Sequence, residues 1–131
     1  KLKQVMGGAM RQSGILAATA IYALNHHVDR LAHDHQLAEN LAAGLSRLAP
    51  LIVEQIPNRT NMIFFELPHQ YSGDDFSWLL EQEKIRVSRV KPQRFRAVTH
   101  LNLSPQDAPQ IIEGFRNALS KLQAQTSRAK A

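Results

Sequence analysis

Residues 94–102 read RFRAVTHLN, and this stretch has the alternating pattern of a short β-strand with cations on one face. Successive side chains of a strand point to opposite sides, so the residues separate into two sets. One face carries Arg96 and His100 on either side of Val98. The other face holds Phe95, Ala97, Thr99 and Leu101. An arginine fixed on a strand presents a planar fork of N–H donors, which suits two-point binding of a carboxylate or a phosphate.

This stretch allows two interpretations of Arg96. In the first, Arg96 binds an anionic ligand. In the second, it lies on the solvated outer face of an edge strand, as most strand arginines do. Both interpretations stay open at this point.

The segments around this strand predict the fold. Residues 60–67 are apolar on both faces and are expected to form a central strand, whereas Ser104, Pro105 and Asp107 have the pattern of a capped helix start. In chain order the sequence predicts a helix from Ser13, a long helix over 28–48, strands at 51–56 and 60–67, a short helix from Ser72, strands at 84–90 and 94–102, and a final helix. This order predicts an α+β domain, in which a small, mainly antiparallel sheet of about four strands carries helices on one face and follows a long helix. The other sheet face needs cover from another domain or subunit.

Composition narrows the classes of function. The 131 residues carry a net charge of +5, but the basic residues are dispersed and aromatics make up only 6% of the chain, which argues against a nucleic-acid-binding platform. No apolar run approaches the roughly 20 residues of a membrane span. The absence of cysteine removes disulfides and thiolate metal sites and fits a cytoplasmic protein.

Histidines are numerous, yet their spacing does not suit a metal site. His26 with His27 and His33 with His35 are one or two residues apart, whereas helical ligands share a face at a spacing of four. His35 falls on the apolar stripe of the long helix and is expected to be a hydrogen-bonded core histidine. We therefore predict no metal site.

Arg11 is a second candidate for binding an anion. It follows the pair Gly7-Gly8 and precedes the helix that starts near Ser13, so backbone N–H groups and a guanidinium could converge there. The alternative is a surface arginine in the first turn.

Three separated motifs resemble the C-terminal part of the low-specificity L-threonine aldolases. They are MGGAMRQSGILAA at 6–18, HVDRLA with the following DH at 27–35, and RAVTHL at 96–101. The resemblance spans nearly the whole chain. It implies a pyridoxal-phosphate enzyme of the aspartate-aminotransferase fold, with residues 1–27 as the tail of the large cofactor domain, 28–124 as the small domain with its linking helix, and 125–131 as a polar tail.

The resemblance also implies an activity and roles for two residues. Members of the family cleave the Cα–Cβ bond of threonine or allo-threonine to glycine and acetaldehyde. Arg96 matches the arginine that binds the substrate carboxylate, and Arg11 would approach the cofactor phosphate in a homodimer or homotetramer. Family members often carry a basic residue at the position of Gln4, whose role is therefore open.

One family residue has no counterpart in the chain. The lysine that holds the cofactor covalently lies upstream of the glycine motif, and none of the lysines here matches it. With no initiator methionine before Lys1, we expect a piece of a longer protein that lacks the large domain and has no catalytic residue and no activity of its own.

Two other classes of function remain as alternatives. The chain could be a stand-alone basic α+β module that binds an acidic partner or RNA, in which case the face of Arg96 would be an open basic surface. It could also be an interaction domain that dimerises through the apolar segment 15–24.

Overall fold

The structure is a computed structural model that describes residues 2–8 and 10–128. The chain divides into two compact units, Lys1–Leu31 and Ala32–Ala131. The boundaries predicted at residues 27/28 and 124/125 remain predictions about the domains of the whole protein.

The first unit contains two helices joined by a turn. Helix α1 spans Leu2–Val5 and helix α2 spans Ser13–His26. Gly7 in the turn has φ 75°, a left-handed conformation that glycine adopts without steric cost. None of the residues of α2 is buried, although its sequence is almost entirely apolar and small.

The second unit contains the sheet and the remaining helices. Its helices are α3, Leu31–Leu45, which begins at the boundary between the units, α4, Gly73–Gln82, and α5, Ala108–Arg128. Its strands are β1, Ile52–Val53, β2, Met62–Glu66, β3, Ser88–Lys91, and β4, Arg94–Val98. A 3-10 turn at Pro105–Asp107 leads into α5.

The four strands form one antiparallel sheet in the order β1-β2-β4-β3. Strand β2 is interior, as its apolar sequence predicts, and it pairs with β4 so that Phe64 lies opposite Arg96 and Phe65 opposite Phe95. On the other side of β4, Ser88 of β3 lies opposite Arg96. The predicted α+β class and antiparallel sheet are confirmed.

The core lies between one face of this sheet and the helices. Phe65 and Phe95 stack with ring centroids 5.5 Å apart, and Phe115 of α5 meets Phe65 edge-on at 5.5 Å. Phe76 of α4 completes the group, meeting Phe95 edge-on at 5.5 Å. Aromatic pairs in this geometry add stability beyond the area they bury. They fix α4 and α5 on the inner face of the sheet.

Helix starts follow the sequence closely. The Ser72 side chain accepts a hydrogen bond from the backbone N–H of Asp75 at 3.2 Å at the start of α4. Asp107 Oδ2 accepts from the Ser104 N–H at 2.7 Å and from its hydroxyl at 2.8 Å. This pairing is the capping arrangement that the sequence predicts.

The strands are shorter than predicted. Strand β1 covers only Ile52–Val53 of residues 51–56, and β4 ends at Val98. His100 and Leu101 therefore do not continue the alternation of the strand, and both are exposed. Helix α3 is also shorter than the predicted 28–48.

The segment predicted as a strand at 84–90 begins instead with a helix cap. The Lys84 N–H donates to the Glu81 carbonyl at 3.0 Å and the Ile85 N–H donates to the Leu80 carbonyl at 2.9 Å. This is the Schellman pattern, with Lys84 in the left-handed conformation at φ 61°. The cap occupies the first residues of the segment, so β3 begins at Ser88.

Two further expectations differ from the structure. His35 is half-buried, and the buried positions of α3 include Leu37 and Leu41 instead. Helix α5 continues to Arg128, so residues 125–128 of the predicted polar tail are helical, and residues 129–131 lie outside the described residues.

Candidate functional site

Arg96 lies on the outer face of the sheet, away from the helices. Its neighbour Phe95 is fully buried on the inner face, and Thr99 beyond the strand is also buried. Alternation along β4 therefore places Arg96 beside Arg94 and Val98 on the outer face. The predicted division of the strand into two faces is confirmed as far as Val98.

The Arg96 side chain has an unsatisfied donor. Its Nε is buried and has no hydrogen-bond partner among the residues that the structure describes, although the residue as a whole is only half-buried. Within residues 2–8 and 10–128, no carboxylate pairs with its guanidinium. A buried donor without an acceptor costs free energy, and Nε with one terminal nitrogen forms an edge that matches a carboxylate. The environment of Arg96 therefore fits an anionic group supplied from outside this unit.

Arg94, two residues earlier on the same face, is fully engaged. Its Nε and Nη2 donate to the two carboxylate oxygens of Glu54 at 2.5 and 3.0 Å, and Glu66 lies 3.9 Å from Nε. The guanidinium carbon also lies 4.6 Å from the centroid of the Phe64 ring. The hydrogen bond from Arg94 is the main reason why the pKa of Glu54 is lowered. Arg94 is thus a structural cation that ties β1 to β4.

The outer face is not an open basic surface. Ile52, Met62 and Val98 expose 58%, 36% and 39% of their area there. Arg94 is neutralised by Glu54 and Arg96 is half-covered, while the exposed Lys91 of β3 lies opposite Arg94 and also lowers the pKa of Glu54. A partly apolar face of this kind is typical of a surface that meets another part of a protein.

Arg11 is described in the first unit. It is exposed in the turn before α2, and the next residue, Gln12, adopts φ 52° at the N-cap position. Among the described residues no side chain caps α2; the Ile15 N–H donates to the Gln12 carbonyl at 3.0 Å, which leaves the N–H groups of Ser13 and Gly14 as the candidates for an anion. This arrangement fits a phosphate, while Ala9 of the glycine motif lies outside the described residues.

Sequence reasoning missed two charged groups that shape the second unit. Arg59 is 7% exposed; its Nη2 donates to the Glu54 carbonyl at 2.9 Å, and its Nε lies 3.6 Å from Glu39. The pair of Arg94 with Glu54 was also missed. The alternation of residues that places Arg96 on the outer face also places Arg94 there. The sequence could therefore have indicated Arg94 as a second cation on this face.

No cluster of three or more potential metal-ligating side chains occurs in the described part of the chain. In the same ranges, no helix is long and apolar enough to cross a membrane.

Comparison with known proteins places these features in a family. The family model described as "Beta-eliminating lyase" matches residues 1–68, just over half of the chain. Low-specificity L-threonine aldolase 1 of Arabidopsis thaliana is 31% identical over 124 residues, which cover 93% of this chain and 35% of that protein. The low specificity L-threonine aldolase of Escherichia coli is 33% identical over 120 residues, or 91% of this chain and 34% of that protein. The chain thus spans about a third of the length of these relatives.

A solved structure supports the fold. An alpha-aminoadipate aminotransferase from Thermus thermophilus, complexed with N-(5'-phosphopyridoxyl)-L-leucine, superposes on 79% of this chain and 29% of its own with a TM-score of 0.57 and 18% identity. At that identity the likeness concerns the fold alone. The family rests instead on the family model, which matches residues 1–68 and so more than half of the sequence: this chain belongs to the beta-eliminating lyase family.

Proposed function

We propose that this chain is part of a pyridoxal-phosphate-dependent lyase that cleaves the Cα–Cβ bond of threonine or allo-threonine, giving glycine and acetaldehyde. The threonine aldolases among its relatives and the phosphopyridoxyl group in the neighbouring aminotransferase support this proposal. When bound, the cofactor supplies an electron-accepting ring for the bond cleavage. The part proposed for this chain is to hold the substrate.

The buried, unpaired Nε of Arg96 is the observation that carries the assignment. We infer that this guanidinium binds the α-carboxylate of the substrate at two points. Two parallel hydrogen bonds fix the carboxylate in a plane and so restrict rotation of the amino acid. A substrate held in this way presents one Cα bond for cleavage in preference to the others.

Arg94 is proposed not to bind the substrate, which leaves that role to Arg96. Its charge is taken up by Glu54, and its guanidinium stacks on Phe64, which lies opposite Arg96 in the sheet. A substrate carboxylate at this face therefore meets one available guanidinium on β4. We propose that the pair of Arg94 with Glu54 holds β4 in place for this purpose.

Arg11 is the proposed partner of the cofactor phosphate. Its exposed guanidinium and the uncapped start of α2 both favour an anion there. In keeping with the relatives' greater length, we propose that the covalent lysine and the large domain come from sequence outside this chain, in a cytoplasmic homodimer or homotetramer.

Kinetics of the full-length enzyme test the role of Arg96. Loss of a charge-assisted clamp should cost about 1.5–3 kcal/mol, so Arg96→Ala should raise KM for threonine roughly 10- to 150-fold while cofactor affinity stays nearly unchanged. Arg47→Ala removes another exposed arginine, outside the sheet, and should leave KM unchanged. A KM for Arg96→Ala equal to that of the control would end the assignment.

The isolated chain offers a second test. Mixed with pyridoxal phosphate and then treated with borohydride, it should yield no single modified lysine, because the covalent lysine is proposed to lie elsewhere. Mass spectrometry of the digested protein would locate any adduct. Stoichiometric modification at one lysine of this chain would refute that part of the proposal.

The alternative of a module that binds RNA or an acidic protein gains no support from the outer face. That face combines exposed apolar side chains with an arginine neutralised by Glu54, and its exposed Lys91 also lowers the pKa of Glu54, whereas such a module would need several free cations there.

A further inference from the structure

A cavity of about 260 Å³ opens between the inner face of β4 and helices α3 and α5. Its accessible apolar lining consists of half-buried side chains, Ile85, Ala97, Leu103 and Ile111, above the buried residues Leu41, Ile63 and Phe115. Arg96 does not line it; Ala97 points into this space from β4, and of the outer-face residues of β4 only Val98, at the end of the strand, reaches the cavity. The cavity is therefore separate from the proposed role of Arg96.

The rim of the cavity is basic. Lys84, Arg86 and His100 line it, and Lys84 and Arg86 are exposed without a carboxylate partner in the described ranges. The acid closest in sequence to Lys84 is occupied elsewhere, because Glu83 binds Lys121 at 2.7 Å and Asn117 at 3.3 Å. Glu81 lies near Lys84 and Arg86 at an adjoining surface depression but pairs with neither in the described residues.

The backbone of Lys84, at the rim of the cavity, adopts an unfavourable conformation. It occupies the left-handed position of the Schellman cap of α4, at φ 61°, where glycine is the usual residue. A side chain with a Cβ costs free energy in this conformation. A lysine where glycine would be more stable is a local strain of the kind found at functional sites.

We propose that this cavity binds a small amphipathic anion, a carboxylate with an unbranched apolar tail of about six to eight carbons. The apolar lining would take the tail, and the rim of Lys84, Arg86 and His100 would take the charge. This combination of an apolar pocket with a few convergent polar groups is the usual form of a small-molecule site. The assignment stands apart from the proposed lyase activity.

Titration of this chain with a series of carboxylates, followed by NMR of its methyl groups, tests the proposal. Each added methylene should tighten binding about fourfold, so octanoate should bind roughly 15-fold more tightly than hexanoate. Shifts should occur at the methyl groups of Ile85 and Ile111, which line the cavity and are only half-buried. Octanol, which has the tail without the charge, and acetate, which has the charge without the tail, should both bind more weakly than octanoate.

Lys84→Gly separates binding from folding. Because glycine suits the left-handed cap, this variant should unfold at the same temperature as the parent chain or a higher one. Loss of one exposed cation should nevertheless weaken octanoate binding about two- to fivefold, and adding Arg86→Gln should weaken it further by a similar factor. Ala97→Leu should narrow the cavity and abolish binding.

The proposal is overturned if octanoate does not bind, or if its shifts fall on the exposed apolar residues of α2 instead. It is also overturned if Lys84→Gly with Arg86→Gln binds octanoate as tightly as the parent chain does.

Discussion

The two faces of the same four-stranded sheet differ sharply. The inner face carries the core, and Phe65, Phe95 and Ile63 have no measurable exposure there, although a cavity opens beside Ala97. The outer face keeps partly exposed apolar residues, one arginine paired with Glu54 and one arginine whose Nε has no acceptor in the described part of the chain. The inner face holds the fold together within this chain, whereas the outer face carries the residue that we propose binds the substrate. In that proposal, alternate residues of one strand serve stability and recognition.

Removing an inner-face ring should give the largest effect. Phe95→Ala would empty a site between Phe65 and Phe76 and should lower the free energy of unfolding by about 3–5 kcal/mol. Ile52→Ala, on the outer face and 58% exposed, should cost well under about 1 kcal/mol. Denaturant unfolding of both variants measures the contrast, and equal losses would mean that the two faces do not differ as described.

A buried hydroxyl on the inner side should matter less. Thr99 is 1% exposed, and its Oγ1 donates to the Asp34 carbonyl at 2.7 Å, joining the end of β4 to α3. Thr99→Val should cost about 0.5–1.5 kcal/mol, because the bond is lost while the shape is kept. Thr126→Val on α5 removes a similar bond of 2.9 Å at a half-buried position and should cost less. A larger loss at Thr126 would contradict this ranking.

The paired arginine of the outer face should give the smallest effect, and one that depends on pH. Arg94 lowers the pKa of Glu54 in the folded state, so the stability from this pair is present above the ordinary glutamate pKa of 4.5. It should disappear as the pH falls from there through the lowered folded-state pKa. Glu54→Gln should therefore lower the unfolding midpoint at pH 7 slightly and match the parent chain in strong acid.

A matched substitution separates the effect of the pair of Arg94 with Glu54 from the effect of removing another carboxylate nearby. Glu66 is 3.9 Å from Arg94, so Glu66→Gln should change the pH profile less than Glu54→Gln does. A profile for Glu54→Gln that runs parallel to that of the parent chain at every pH would show that the pair contributes no pH-dependent stability.

Local sequence signals predicted most of the fold. Ser72 and Ser104 mark helix starts because their caps depend on residues three positions away, and the alternation of β4 separates Phe95 from Arg96 without tertiary information. The lengths of β1 and β3 could not be predicted from local sequence signals. Strand β3 begins late because the cap of α4 places Lys84 in a left-handed conformation, which its side chain does not signal.

The candidate site was predictable only in part. The alternation of residues along the strand and the resemblance to the threonine aldolases both indicated Arg96. The difference between a paired Arg94 and an Arg96 that is unpaired among the described residues depends on Glu54, which is 40 residues away from Arg94 in the sequence. The cavity beside Ala97 likewise depends on how α3, β4 and α5 pack together. Interactions between such distant residues leave no local pattern in the sequence.

The role of Arg96 is the central claim, and it can be measured directly. In a crystal structure of the full-length enzyme with threonine bound, the distances from the Arg96 Nε and a terminal nitrogen to the two carboxylate oxygens should both be about 2.7–2.9 Å. A substrate carboxylate held by another cation, with Arg96 beyond about 4 Å, would contradict the account.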